Sequence, residues 1–138
     1  MIKLNCVIID DEPLALGLLE TYVNQTPFLN LVKCCSSASE LLESIKKERV
    51  DLLFMDIHMP DINGLELSKI IDNNIMVIFV TAYDQYAVES YKVNAVDYLL
   101  KPISYAEFLM SANKALNLEE LRLPARKDNS EKIDCDKT

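Results

Sequence analysis

The chain has 138 residues, half of them hydrophobic and 26% charged, with a net charge of -8. That balance favours one domain with a proper apolar core and argues against a disordered chain. An acidic surface repels phosphate backbones, which makes this segment by itself a poor binder of DNA or RNA.

The first apolar run, about Lys3 to Ile9, predicts a strand and ends in Asp10-Asp11. The single early lysine and the two acids argue against a secretory leader. No run along the chain approaches the roughly 20 residues needed to cross a bilayer, so a cytoplasmic protein without membrane contact is expected. Pro13 suits the first turn of a helix, where its missing N–H costs nothing. Ala15, Leu18, Leu19, Tyr22 and Val23 then recur at helical spacing and are expected to face a sheet. Thr26-Pro27 ends that helix.

Leu29, Leu31 and Lys33-Cys34-Cys35 alternate imperfectly, as in an edge strand. Adjacent Cys34 and Cys35 on a strand point to opposite faces. The four cysteines offer no CxxC pair or nearby histidine for zinc, and plain reduced thiols are expected. Ser37 and Glu40 form a capping box ahead of Leu41, Leu42 and Ile45. The third strand is Leu52 to Asp56. Met59-Pro60-Asp61-Ile62-Asn63-Gly64 is rich in turn residues. Leu65, Leu67, Ile70 and Ile71 suggest a short third helix, and Ile75 to Val80 a fourth strand. A weakly patterned fourth helix is expected over Asp84 to Val93, and Tyr83, Tyr86, Tyr91 and Tyr98 around it suit a partner face. Ala95 to Leu100 reads as a fifth strand. Ser104 and Glu107 form a second capping box before Phe108, Leu109, Ala112, Ala115 and Leu116. The domain is expected to occupy 1-121, with a polar tail or the start of a linker over 122-138.

Alternating strands and helices imply βαβ units in an α/β fold with an open, doubly wound parallel sheet of five strands. The common order of such sheets, 2-1-3-4-5, sets the first and third strands side by side, with ligands bound outside their carboxyl ends. Asp10, Asp11 and Asp56 end those two strands. Thr81 and Lys101 end the fourth and fifth. Three carboxylates crowded together raise at least one pKa unless a cation joins them. Mg2+ prefers such oxygen donors. An Asp carboxylate can accept a phosphoryl group, and a hydroxyl and an ammonium suit its oxygens.

Taken singly, each residue has a plain explanation. Asp10-Asp11 could cap the first helix, Asp56 could favour a helix dipole, Thr81 could be a turn residue and Lys101 a solvated lysine. Their joint placement sets them apart. His58, the only histidine, reads as a side chain at the pocket rim that tunes loss of the phosphoryl group, not as a metal ligand.

Val7-Ile8-Ile9-Asp10-Asp11-Glu12-Pro13, Met55-Asp56-Ile57-His58-Met59-Pro60-Asp61-Ile62-Asn63-Gly64, Val80-Thr81-Ala82 and Asp97-Tyr98-Leu99-Leu100-Lys101-Pro102 occur in this order and spacing. Over about residues 3 to 120 the chain resembles the receiver domain of bacterial two-component response regulators. The resemblance implies the flavodoxin-like receiver fold, with Asp56 as phospho-acceptor. Asp10, Asp11, Asp56 and the His58 backbone carbonyl would hold Mg2+. Thr81 and Lys101 would hold the phosphoryl group, Thr81 and Tyr98 would form the switch, and the Lys101-Pro102 bond would be cis. Val80 to Ala87 and Val93 to Ile103 further resemble receivers joined to LytTR-type DNA-binding domains. The implied role is a phosphorylation switch and not an enzyme. A sensor histidine kinase would donate, and the face of the fourth helix, fifth strand and fifth helix would change and promote homodimerisation. DNA would be reached only through a domain absent here, so a receiver separated from its output domain is expected, with a stand-alone docking receiver as the alternative. A haloacid dehalogenase-like phosphatase would need an Asp where His58 stands. A flavodoxin-like cofactor binder would need a glycine- and hydroxyl-rich loop where Asp10-Asp11-Glu12-Pro13 stands.

Overall fold

Alternate residues of the apolar runs feed two separate cores, one on each face of a single sheet. The computed structural model describes residues 2–82 and 95–130, with side chains as far as residue 122. The expected helix at 84–93 and its tyrosines 83, 86 and 91 lie outside the described residues.

The strands are β1 (Leu4–Ile9), β2 (Leu29–Cys35), β3 (Leu52–Met55), β4 (Met76–Thr81) and β5 (Asp97–Leu100). They are parallel and ordered β2-β1-β3-β4-β5, as expected. Helices α1 (Pro13–Asn24), α2 (Ala38–Lys47), α3 (Gly64–Ile70) and a C-terminal helix (Tyr105–Ser130) connect and cover them. Leu4, Cys6, Ile8, Leu52, Phe54, Ile78 and Val80 pack with Leu19 and Val23 of α1 and with Phe108, Ala112 and Ala115 of the C-terminal helix. The intervening residues Val7, Ile9, Leu53, Met55, Val77 and Phe79 pack with Leu41, Leu65 and Leu67 from α2 and α3. This is the two-residue period of a strand read on both sides. Each fully buried Ile, Leu or Phe contributes about 1.5–3 kcal/mol, so the sheet does not depend on its polar edge for stability.

Local sequence explains most boundaries. Pro13 opens α1. Ser37 accepts the Glu40 N–H at 3.3 Å, but the Glu40 carboxylate reaches the N–H of Ser36, one residue earlier than a capping box expects. Ser104 and Glu107 make the full reciprocal pair, at 3.0 and 3.1 Å. The broken alternation of β2 has a local cause. Cys6 pairs with Leu31 and Val7 with Lys33, so Val32 is an inserted bulge residue that resets the phase. Cys34 and Cys35 do fall on opposite faces. Cys6, Cys34 and Cys35 are free thiols, and burial pushes Cys6 up to about 12.

Three places depart from the plain pattern of the sequence. Leu18 is 42% exposed and Leu16 packs inward in its place, because Leu14 and Leu18 line an open groove against Pro102. Ile70 is 63% exposed, because α3 ends there after only seven residues and the chain turns inward at Ile71. The C-terminal helix runs to Ser130, through Pro124, so the polar tail or linker expected from 122 begins as helix. The helix enters that stretch already nucleated, and Arg122 fastens it by a bond of 3.0 Å to the Asn74 carbonyl.

Candidate functional site

β1 and β3 are neighbours, with Ile9 opposite Met55. The ladder continues one residue further: the Asp56 N–H donates to the Ile9 carbonyl and the Asp10 N–H to the Cys35 carbonyl, each at 3.1 Å. Asp10 and Asp56 therefore leave the sheet side by side. Carboxylate oxygens of Asp10, Asp11 and Asp56 lie within 4.8 Å of one another. Asp10 and Asp56 are buried while Asp11 is exposed.

Lys101 arrives from the end of β5. Its N–H donates to the Thr81 carbonyl at 2.8 Å, which fixes it beside the end of β4. The peptide to Pro102 is cis, as expected. The ammonium donates to Asp10 Oδ2 at 2.9 Å, Glu12 Oε1 at 3.3 Å and Asp56 Oδ2 at 3.4 Å. Thr81 is fully buried at the same edge. Tyr98 is half-buried, opposite Phe79, against the core of α2 and α3. His58 is exposed, and its N–H donates to Asp56 Oδ1 at 3.2 Å. Its imidazole does not join the carboxylate cluster.

The electrostatics follow from burial and company. Burial pushes the Asp56 carboxyl above its ordinary value; Lys101 pulls it back and Asp10 adds to the rise. The direction is the one expected from crowding of the acids, but burial is the first cause and Asp10 a lesser one. Burial works against the Lys101 ammonium, but its hydrogen bond to Asp10 and the charge of Asp56 outweigh that and raise it.

Two neighbours carry no assignment from sequence. Glu12 was visible only as part of the Asp10-Asp11-Glu12-Pro13 segment; its acid two residues after Asp10 was the available signal. Gly64 was read as a turn residue. Its N–H donates to the Ile57 carbonyl at 2.7 Å, and a Cβ there would lie 2.5 Å from the Asp56 carbonyl oxygen. The glycine is needed for close approach to the backbone that carries Asp56.

Chemically, the edge offers hard oxygen donors, a nucleophilic carboxylate, and an ammonium and hydroxyl for anionic oxygens. Beside it lies an apolar groove of about 410 Å3 lined by Leu14, Leu18, Pro102 and Ile103 among others. Among the described residues no helix is long and apolar enough to cross a membrane.

A family model described as the response regulator receiver domain matches residues 6–113. The chain is 42% identical over 108 residues to the transcriptional regulatory protein BtsR of Escherichia coli, across 77% of this chain and 44% of that protein. It is 35% identical over 130 residues to the sensory transduction protein LytT of Oceanobacillus iheyensis, across 88% of this chain and 53% of that protein. The response regulatory domain of protein mrkE from Klebsiella pneumoniae superposes with a TM-score of 0.78 at 26% identity, over 85% of this chain and 98% of that one. The chain spans about half the length of the curated relatives it matches.

Proposed function

The chain belongs to the response regulator receiver domain family of two-component signalling, and we propose that its Asp56 accepts a phosphoryl group from a sensor histidine kinase. One observation carries this reading: Asp56 meets Asp10, Asp11 and Lys101 at a single edge of the sheet. The three-carboxylate donor set fits Mg2+, held by Asp10, Asp11 and Asp56 with the His58 carbonyl as a further oxygen. When bound, Mg2+ supplies positive charge to the carboxylates and to the equatorial oxygens of the transferring group.

The ionised Asp56 carboxylate attacks phosphorus. The phosphorus–nitrogen bond of the donor phosphohistidine breaks, and its electron pair returns to the imidazole. Lys101 turns a donor toward the phosphoryl oxygens, and the Thr81 hydroxyl supplies another. Movement of Thr81 makes room for Tyr98. The change reaches β5 and the C-terminal helix, where Lys114 pairs with Asp97 at 3.2 Å and Leu100 and Met110 are exposed. This is a local charge event that biases a two-state element. On this reading the altered face favours homodimerisation.

The domain is assigned to 1-121, with 122-138 leading toward an output domain. By analogy with BtsR, named a transcriptional regulatory protein, that domain would control transcription, and the resemblance of residues 80–87 and 93–103 to receivers joined to LytTR-type domains points to a DNA-binding domain of that type. The chain acts as a regulatory acceptor in the cytoplasm, promoting only its own phosphorylation and dephosphorylation.

The test is intact mass after treatment with a small-molecule phosphodonor, with and without Mg2+. One added phosphoryl group, dependent on Mg2+ and lost in Asp56→Asn, is the expected result. An unchanged mass, or a gain that survives Asp56→Asn, sinks the reading. A stand-alone docking module would instead keep its function in Asp56→Asn.

A further inference from the structure

A lysine ammonium has three donors and no acceptor. Lys101 directs its donors to three different carboxylates. Two of these are the buried aspartates of the acceptor site, and their other oxygens each accept a backbone N–H. Asp10 Oδ1 accepts the Glu12 N–H at 2.9 Å, and Asp56 Oδ1 accepts the His58 N–H at 3.2 Å. On both aspartates, then, Oδ2 is held by the same ammonium. A divalent cation drawing on Asp10 and Asp56 neutralises the charge those oxygens offer Lys101 and repels its ammonium at close range. Without another acceptor, a lysine side chain only 18% exposed would lose its counter-charges, and a buried charge without a partner is costly.

Glu12 is the third acceptor and differs from the other two. Its carboxylate is not among the oxygens close enough to share an ion. Its side chain makes no cap to α1, although Glu12 is the residue before that helix. It is mostly exposed, yet its backbone is tied to Asp10. We infer that Glu12 is a positioning residue that takes up the Lys101 ammonium when the Asp10 and Asp56 oxygens turn to Mg2+. The inference rests on the metal-assisted acceptor reading above. Glu12 thereby lowers the cost of metal entry and keeps the lysine at the mouth of the site, ready for the phosphoryl oxygens.

The test is a Mg2+ titration by calorimetry on the full chain in about 1 M salt, where the Debye length of about 3 Å screens long-range attraction. Glu12→Gln is expected to weaken Mg2+ by about tenfold, the lower end for a partner of a ligand shell. In a Lys101→Met background the same substitution should leave the affinity unchanged. Glu12→Asp keeps the charge but shortens the reach, and should weaken Mg2+ as Gln does. Acetylation of Lys101 by an amine-reactive reagent in saturating Mg2+, mapped by mass spectrometry, should be faster in Glu12→Gln than in the parent. A merely structural role would shift the melting midpoint and leave this lysine's reactivity alone. Equal affinities for parent and Glu12→Gln overturn the inference, as does an equal loss in both backgrounds, which would make Glu12 a bare charge or a ligand. A parent chain that binds no Mg2+ sinks the acceptor reading as well; a parent that binds Mg2+ and is phosphorylated, with no coupling in the cycle, sinks this inference alone.

Discussion

Asp51 and Asp56 flank β3 at its two ends, and both are buried, at 9% and 5% exposure. Asp51 is held by fixed partners. Its Oδ2 accepts the Asn5 N–H at 2.9 Å, and its Oδ1 accepts Arg49 Nε at 3.1 Å. Its own N–H and carbonyl splice β3 to β1 and β4 through Asn5 and Met76. Asp56 shares one ammonium with two other acids and sits above its ordinary pKa. Burial alone therefore does not mark a reactive acid. The mismatch between charge and partners is the better mark: one aspartate fastens the sheet, and the other is the one proposed to take a cation and an electrophile.

Gly64→Ala should widen the contrast most. The added Cβ meets the backbone of Asp56 and Ile57, and misplacing a reacting group by about an ångström can cost about 100-fold in rate. Phosphorylation followed by intact mass should slow strongly, while the Asn5–Asp51 end stays intact by amide exchange. Asp51→Ala should do the reverse. Leaving the Asn5 N–H unpaired costs about 1–3 kcal/mol, visible as a lower denaturant midpoint, with one phosphoryl group still accepted. Equal damage to phosphorylation in both variants would remove the distinction between the two ends.

Asp56→Asn gives a smaller effect of opposite sign. A carboxyl whose folded pKa is raised destabilises the native state once it ionises. The cost is absent below the ordinary value of about 3.9 and complete above the raised one. Without Mg2+, Asp56→Asn should therefore melt higher than the parent at neutral pH, and the gain should vanish as pH falls toward 4, about the ordinary value. Scanning calorimetry across pH checks this; a lower melting point at pH 7, near neutrality, would mean the Lys101 pair outweighs burial. The smallest effect is expected for His58→Ala, which should alter the lifetime of the phosphorylated form without abolishing acceptance. Identical half-lives would leave the exposed imidazole without a role there.

The polar edge was legible because each of its residues interrupts or ends an apolar run, and parallel order brings such ends together. Asp10, Asp56, Thr81 and Lys101 could be read that way before any coordinates. Glu12 could not, because its role comes from a contact 89 residues away in the chain. Asp51 likewise gave no sign, since its partner Asn5 lies across a strand pair. Leu18 was expected to face the sheet because periodicity tells which residues share a side, not where that side ends. The Val32 bulge blurred β2 because one inserted residue inverts the alternation.

The bond from the Lys101 N–H to the Thr81 carbonyl has a mechanical corollary. On the proposed function, the two side chains that would grip a phosphate are jaws of one vice, pinned together through their main chains. Prising Lys101, the residue after β5, away from the end of β4 would slacken both at once, so grip on the ligand and relay of the message would be lost together.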